Sequence, residues 1–187
     1  MSSTMDRMSM LGINTVSHAN VSEALLRLAA QVDTALSAET ASFPQDDCFT
    51  PIMDALMEAL QSAHLLYPNQ CYGNAQNYMR HQLYRDPAER FSIYALVWLP
   101  GQATPFHNHW CWCLFGVYMG KLLEEQYCTE QRAVIGAPKQ LSVSMDSNRI
   151  VKDLYGKYAH RLMNNHEAVS ISIHIYGTVN RIIREIF

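Results

Sequence analysis

The sequence predicts an all-β fold, a barrel or double sheet, carrying two α-helices at its N-terminal end. Three observations predict it. Apolar residues recur at helical spacing as far as residue 66, the period then falls from about 3.6 to 2 at Phe91, and at least six strand-length segments follow between turn signals. A further feature is an uncharged run. The chain has 187 residues, with 14 Lys plus Arg and 17 Asp plus Glu, so a window of thirty should hold about five charges, yet residues 91 to 120 hold none. That run is long enough to cross a bilayer, but Pro100-Gly101 breaks it, and Gln102, Thr104, His107, Asn108 and His109 would have to shed water inside hydrocarbon. It reads instead as buried strands that carry histidines where charges are missing.

Taken in order, residues 1 to 19 are polar and aperiodic and are expected to form a disordered tail. Asn20 can cap a helix with Glu23 three residues on, after which Val21, Leu25, Leu28, Val32 and Leu36 share a face. A second helix is expected from Thr50-Pro51, with Ile52, Leu56, Leu60, Ala63 and Leu66 along its apolar side. Residues 41 to 47 read as a linker, and residues 70 to 89 are mixed. Phe91, Ile93, Ala95, Val97 and Leu99 alternate with their neighbours as a first strand. Further strands are expected at 104 to 109, 112 to 119, 121 to 127, 140 to 145, 149 to 154 and 169 to 176, separated by Gly120, Gly136-Ala137-Pro138, Asp146-Ser147-Asn148 and Asn164-Asn165. With no internal repeat, residues 20 to 187 read as a single domain, a helical cap over 20 to 70 and a β-barrel over 90 to 187.

Composition narrows the function classes. A hydrophobic content of 49% supports a substantial core, and a net charge of -3 without basic runs argues against nucleic acid or membrane as partner. No secretory signal is evident, and five cysteines without a C-x-x-C pair suit a reducing, cytoplasmic setting. A monomer or weak homo-oligomer is expected.

His107 and His109 are two apart in a strand pattern, so both imidazoles leave the same face, as a metal requires. His160 is the natural third ligand. In residues 169 to 177, Ser170, Ser172, His174 and Tyr176 alternate with Val169, Ile171, Ile173 and Ile175. A polar file of this kind either meets solvent or, turned into a barrel, makes a hydrogen-bonded relay that holds the Tyr176 phenol beside the metal.

The spacing Gly101, five residues, His107-x-His109, three residues, Cys113, six residues, Gly120 is similar to the first cupin motif, with cysteine at the usual glutamate. His160-x-x-x-Asn164 is similar to the end of the second, without its upstream proline and glycine. The resemblance implies a double-stranded β-helix. A narrower one rests on Tyr78-Met79-Arg80, Arg90-Phe91-Ser92, Val97-Trp98, Pro100-Gly101-Gln102, Thr104-Pro105-Phe106-His107-Asn108-His109 and Ser172-x-His174-x-Tyr176. Over residues 72 to 176 the chain resembles the thiol dioxygenase family, cysteine dioxygenase and its bacterial relatives.

That resemblance implies a ferrous ion, Fe(2+), on His107, His109 and His160, a Ser172, His174, Tyr176 relay, and Arg80, with Tyr78 beside it, holding a substrate carboxylate. The partners implied are a small thiol and dioxygen, joined to give a sulfinic acid without external reductant. Arg80 favours L-cysteine over 3-mercaptopropionate, for which glutamine often stands there. In the mammalian-type members a cysteine is joined to the tyrosine by a thioether, and Cys113 matches it when counted back from Gly120; Cys111, on the same face by parity, is the rival. A cupin without redox chemistry, holding zinc on the same histidines, is the reading from a different class.

Overall fold

The computed structural model describes residues 13–15, 21–37, 46–143, 150–153, 159–178, 180 and 182–186. His18, Asn20, the Asp146-Ser147-Asn148 turn and Arg181 lie outside them. Two helices, α1 (Glu23–Ser37) and α2 (Asp46–Gln61), precede most of the strands. The strands are β1 (Ile13–Thr15), β2 (Met79–Arg85), β3 (Ser92–Trp98), β4 (His107–His109), β5 (Cys113–Met119), β6 (Lys121–Cys128), β7 (Ala133–Ser142), β8 (Ile150–Asp153), β9 (Ala159–Met163), β10 (Ser170–Tyr176) and β11 (Ile183–Glu185). They form two sheets, in the orders β1-β2-β3-β10-β5-β8 and β11-β4-β9-β6-β7. The described strands do not close into one barrel. Among the described residues no helix is long and apolar enough to cross a membrane.

Helix α1 begins where Ser22 Oγ accepts the Leu25 N–H at 3.1 Å, so Ser22 serves as its cap. The same hydroxyl donates to Leu65 O at 2.8 Å and ties the helix to the segment after α2. The expected apolar stripe is present, with Leu25, Leu28 and Val32 buried. Helix α2 starts at Asp46, about a turn before the expected cap at Thr50, and carries Pro51 inside it. Proline there gives up one backbone bond near the helix start, a loss offset by burying Phe49, Ile52 and Leu56.

Both helices lie on the outer face of the six-stranded sheet. Ile171, Ile173 and Ile175 of β10, Ile93, Ala95 and Val97 of β3 and Leu114 of β5 join them in one core, and Trp112 meets Phe49 edge to face at 5.4 Å. The inner face carries Tyr94, Leu96, Trp98, Cys113, Phe115, Val117 and Tyr176, which pack with Leu122, Leu141 and Leu162 of the second sheet. Strands β3 and β10 are buried on both faces, and β5 is buried over Cys113 to Val117, which explains the uncharged run.

Several expectations needed correction. Residues 13 to 15 pair in parallel with β2, so the tail is not wholly unstructured, and β2 brings the sheet to before residue 90. Gly136, at φ 71, does not end a strand but lies in a bulge of β7 that opposes Glu125 of β6. Ala159–Met163 and Ile183–Glu185 are strands not foreseen.

Candidate metal centre

Strand parity and one strand pairing build the centre. His107 and His109 leave β4 on the same side, and β4 pairs with β9 so that His107 lies opposite His160. The three rings are buried, their centroids 5.1, 4.6 and 5.2 Å apart, and one nitrogen of each lies within 4.8 Å of the others. His107 Nδ1 bonds the Pro105 carbonyl at 3.0 Å, which fixes the ring and leaves Nε2 with its lone pair. Burial, reinforced by His160 and His109, lowers the His107 pKa to about 2 and holds the ring neutral, the form that ligates.

Glu124 was not foreseen as part of the site. It is buried on β6, and its carboxylate bonds His160 Nδ1 at 2.8 Å. His160 Nε2 is buried without a hydrogen-bond partner. A carboxylate behind an imidazole whose other nitrogen is unmatched is the arrangement that orients a metal ligand. Glu124 is therefore committed to His160 rather than to an ion, and the donor set among the described residues is three imidazoles.

The polar face of β10 turns inward, so the solvent-facing alternative is excluded: Ser172, His174 and Tyr176 are 0%, 2% and 3% exposed. Trp98 Nε1 donates to Ser172 Oγ at 3.0 Å, Ser172 Oγ lies 2.8 Å from His174 Nε2, and His174 Nδ1 lies 3.1 Å from Tyr176 Oη. Phe115 stacks on the His174 ring at 4.8 Å, and Tyr176 stands 5.5 Å from His109, ring to ring. Burial above all drives the His174 pKa well below the ordinary histidine value and that of Tyr176 well above the ordinary phenol value. At neutral pH both are uncharged.

Arg80 comes from β2, opposite Leu96 of β3, and so faces the same interior. Its guanidinium lies 5.1 Å over the Tyr94 ring, and its Nε is buried with no hydrogen-bond partner among the described residues. Its charge is felt at His107, His174 and Tyr176. Tyr78 stacks on Trp98 at 4.7 Å; burial raises its pKa, opposed by Arg80 and reinforced by Glu185.

Cys113 of β5 lies directly opposite Tyr176 of β10 in register and is buried. Cys111 is also buried, and both raise the Tyr176 pKa, Cys113 more strongly. The other resemblance residues hold the frame. Arg90 pairs with Asp86 and Asp33, Gln102 bridges Leu99 N and Asn74 O, and Asn164 donates to Trp98 O and Ala168 O. Of the remaining histidines, His81 bonds Tyr72 O at 2.9 Å, away from the three. Trp110 is 52% exposed and lies under Arg184.

No family model matches the chain. Its fold is similar to an uncharacterized conserved protein with a double-stranded β-helix domain from Klebsiella pneumoniae subsp. pneumoniae MGH 78578, at 15% identity over 66% of this chain and 96% of that one, TM-score 0.51. It is also similar to oxalate oxidase in complex with the substrate analogue glycolate, at 14% identity over 64% of this chain and 61% of that one, TM-score 0.50. At these identities the likeness is one of fold, a double-stranded β-helix, here mostly β with two helices.

Proposed function

We propose that the chain is an iron-dependent thiol dioxygenase that adds both atoms of dioxygen to the sulfur of L-cysteine, giving cysteine sulfinic acid. Arg80 carries the reading. Its buried, unmatched guanidinium nitrogen stands in the same interior as three convergent imidazoles and a neutral phenol. A buried N–H left unmatched is costly, and the planar fork of this half-buried side chain suits a small carboxylate that would complete it.

The residues fit a ferrous ion. His107, His109 and His160 offer three nitrogen donors, and Nε2 of His160 has no hydrogen-bond partner among the described residues. Bound there, iron would supply a dication with open positions, able to acidify a thiol and to bring dioxygen beside it. The chain's own residues do the rest. Arg80 would hold the carboxylate and so aim the thiol and amine at the histidines. Tyr176 would place its hydroxyl against the substrate, and the Phe115 and Trp98 walls would keep water from the reacting sulfur. The sulfur gives all four electrons, so no reductant is needed.

Cys113, facing Tyr176 across two strands, suits a thioether to the phenol ring; that bond forms with loss of two hydrogens, dioxygen being the oxidant. Intact mass would reveal it as a deficit of two hydrogens absent from Cys113→Ala. The free thiols of Cys71 and Cys128 fit a cytoplasmic setting.

Metal analysis of protein purified without added metal, with oxygen uptake on adding cysteine or 3-mercaptopropionate, tests the proposal. Uptake with cysteine at least as fast as with 3-mercaptopropionate is expected, and faster uptake with the latter would reassign the substrate. No oxygen consumption by iron-loaded protein overturns the dioxygenase reading, and tightly retained zinc would then favour a cupin without redox chemistry.

A further inference from the structure

A chain of hydrogen bonds runs along the inner face from Trp98 to Tyr176, and its direction can be worked out from its first member. The indole nitrogen of Trp98 has a proton and no lone pair to offer, so at 3.0 Å it donates to Ser172 Oγ. Ser172 is 0% exposed, so its own proton must be satisfied inside the protein. Of the two side chains bonded to that hydroxyl, Trp98 cannot accept, while His174 Nε2 lies 2.8 Å away. Ser172 therefore donates to Nε2. A neutral imidazole carries one N–H, which must then be on Nδ1, where it donates to Tyr176 Oη at 3.1 Å.

We infer that Trp98 is a positioning residue that fixes the polarity of the relay, so that Tyr176 accepts from His174 and its own hydroxyl proton is presented to the three-histidine interior. The opposite polarity would have Ser172 accept from both neighbours, leaving its buried proton without a side-chain acceptor, and would spend the Tyr176 proton on His174. Two contacts lock the arrangement. Phe115 stacks on the His174 ring within 6° of parallel, so the imidazole keeps its plane, and Trp98 itself stacks on Tyr78 at 4.7 Å. Through that stack the same indole braces the strand that carries Arg80. One residue thus positions both the group that would bind a carboxylate and the group that would donate to the substrate.

The polarity follows from hydrogen bonding alone; only its effect on turnover rests on the dioxygenase reading. The test is two-bond proton–nitrogen correlation on metal-free protein with 15N-labelled histidine, His174 being assigned from the signals missing in His174→Gln. The expected result in wild type is His174 protonated at Nδ1, and protonation at Nε2 overturns the inference. Trp98→Phe keeps the stack on Tyr78 but removes the donor, so the Nδ1-protonated share should fall. An unchanged tautomer in folded Trp98→Phe overturns the role of Trp98. Should that variant not fold, Ser172→Ala breaks the same link and must show the same loss.

In iron-loaded protein, Trp98→Phe should lower kcat by about tenfold or more while KM for cysteine stays nearly constant, since the Arg80 arm is kept. A raised KM with kcat unchanged would place Trp98 in the substrate arm alone and overturn the inference. Absence of oxygen uptake with the tautomer as expected would remove the proposed function and leave the polarity standing.

Discussion

Arg80 and Glu124 are charged side chains that face the histidine group from opposite sheets, and they differ in what completes them. Glu124 has its partner in the fold, so replacing it leaves His160 without an orienting acceptor. Glu124→Gln should weaken metal binding by about 10- to 100-fold, read by competition with a chromophoric chelator. Arg80 has a buried nitrogen with no partner, so its effect should appear only with substrate. Arg80→Gln should raise KM for cysteine by about 10- to 100-fold, with a smaller change for 3-mercaptopropionate, in steady-state oxygen uptake. The two residues also differ in legibility. His107 with His109, and the Ser172, His174, Tyr176 file, are readable because strand parity puts each set on one face, whereas His160 lies on β9, a strand that was not foreseen. Arg80 was reached only by resemblance, since nothing periodic surrounds it. Glu124 was missed because β6 has a leucine and an acidic residue on each face, Leu122 with Glu124 and Leu123 with Glu125, so alternation does not say which side is buried.

Among the elements, the turn between β5 and β6 shows why a motif glycine is needed. Gly120 has φ +77, and a Cβ there would lie 2.5 Å from Ser170 Oγ and 2.9 Å from Val169 O. Ser170 Oγ accepts from Lys121 N and donates to Lys121 O, which ties the start of β10 to β6. Gly120→Ala should destabilise the metal-free protein by about 2 kcal/mol or more, combining left-handed strain with displacement of Ser170, as measured by urea unfolding. The long uncharged strands were legible because burial on both faces leaves an apolar run. Strands β2 and β11 were not. Residues 79 to 85 carry Arg80, His81 and Arg85 in a strand whose inward face is itself polar, and β11 is three residues long and held by pairing with β4 rather than by pattern. The start of α2 was misplaced because Thr50-Pro51 has the residue types of a helix start, while burial of Phe49 carried the helix further back.

At the scale of the molecule, the six-stranded sheet separates an apolar core under the helices from an interior lined with histidines. Keeping His107 and His174 neutral makes stability depend on pH. His107 titrates near 2 in the fold against an ordinary value of 6.5, and His174 and His81 are also lowered, each chiefly by burial. Below about pH 6.5 the unfolded chain binds protons that the folded one refuses. Stability is therefore fully present above that value and falls as pH falls toward 2, by up to about 1.4 kcal/mol per pH unit for each such histidine. Asp86, held below its ordinary 3.8 chiefly by its hydrogen bond to Arg90, adds a loss of the same sign, but only under pH 4. The window between pH 6.5 and 4 thus belongs to the histidines. Urea unfolding of metal-free protein should give a flat free energy above pH 7 and a steady decline below 6.5. His81→Gln should make that decline shallower without touching the three-histidine group. A profile flat down to pH 4 would mean that these rings are protonated in the fold, and neutral imidazoles would then be lost as the basis of the metal centre.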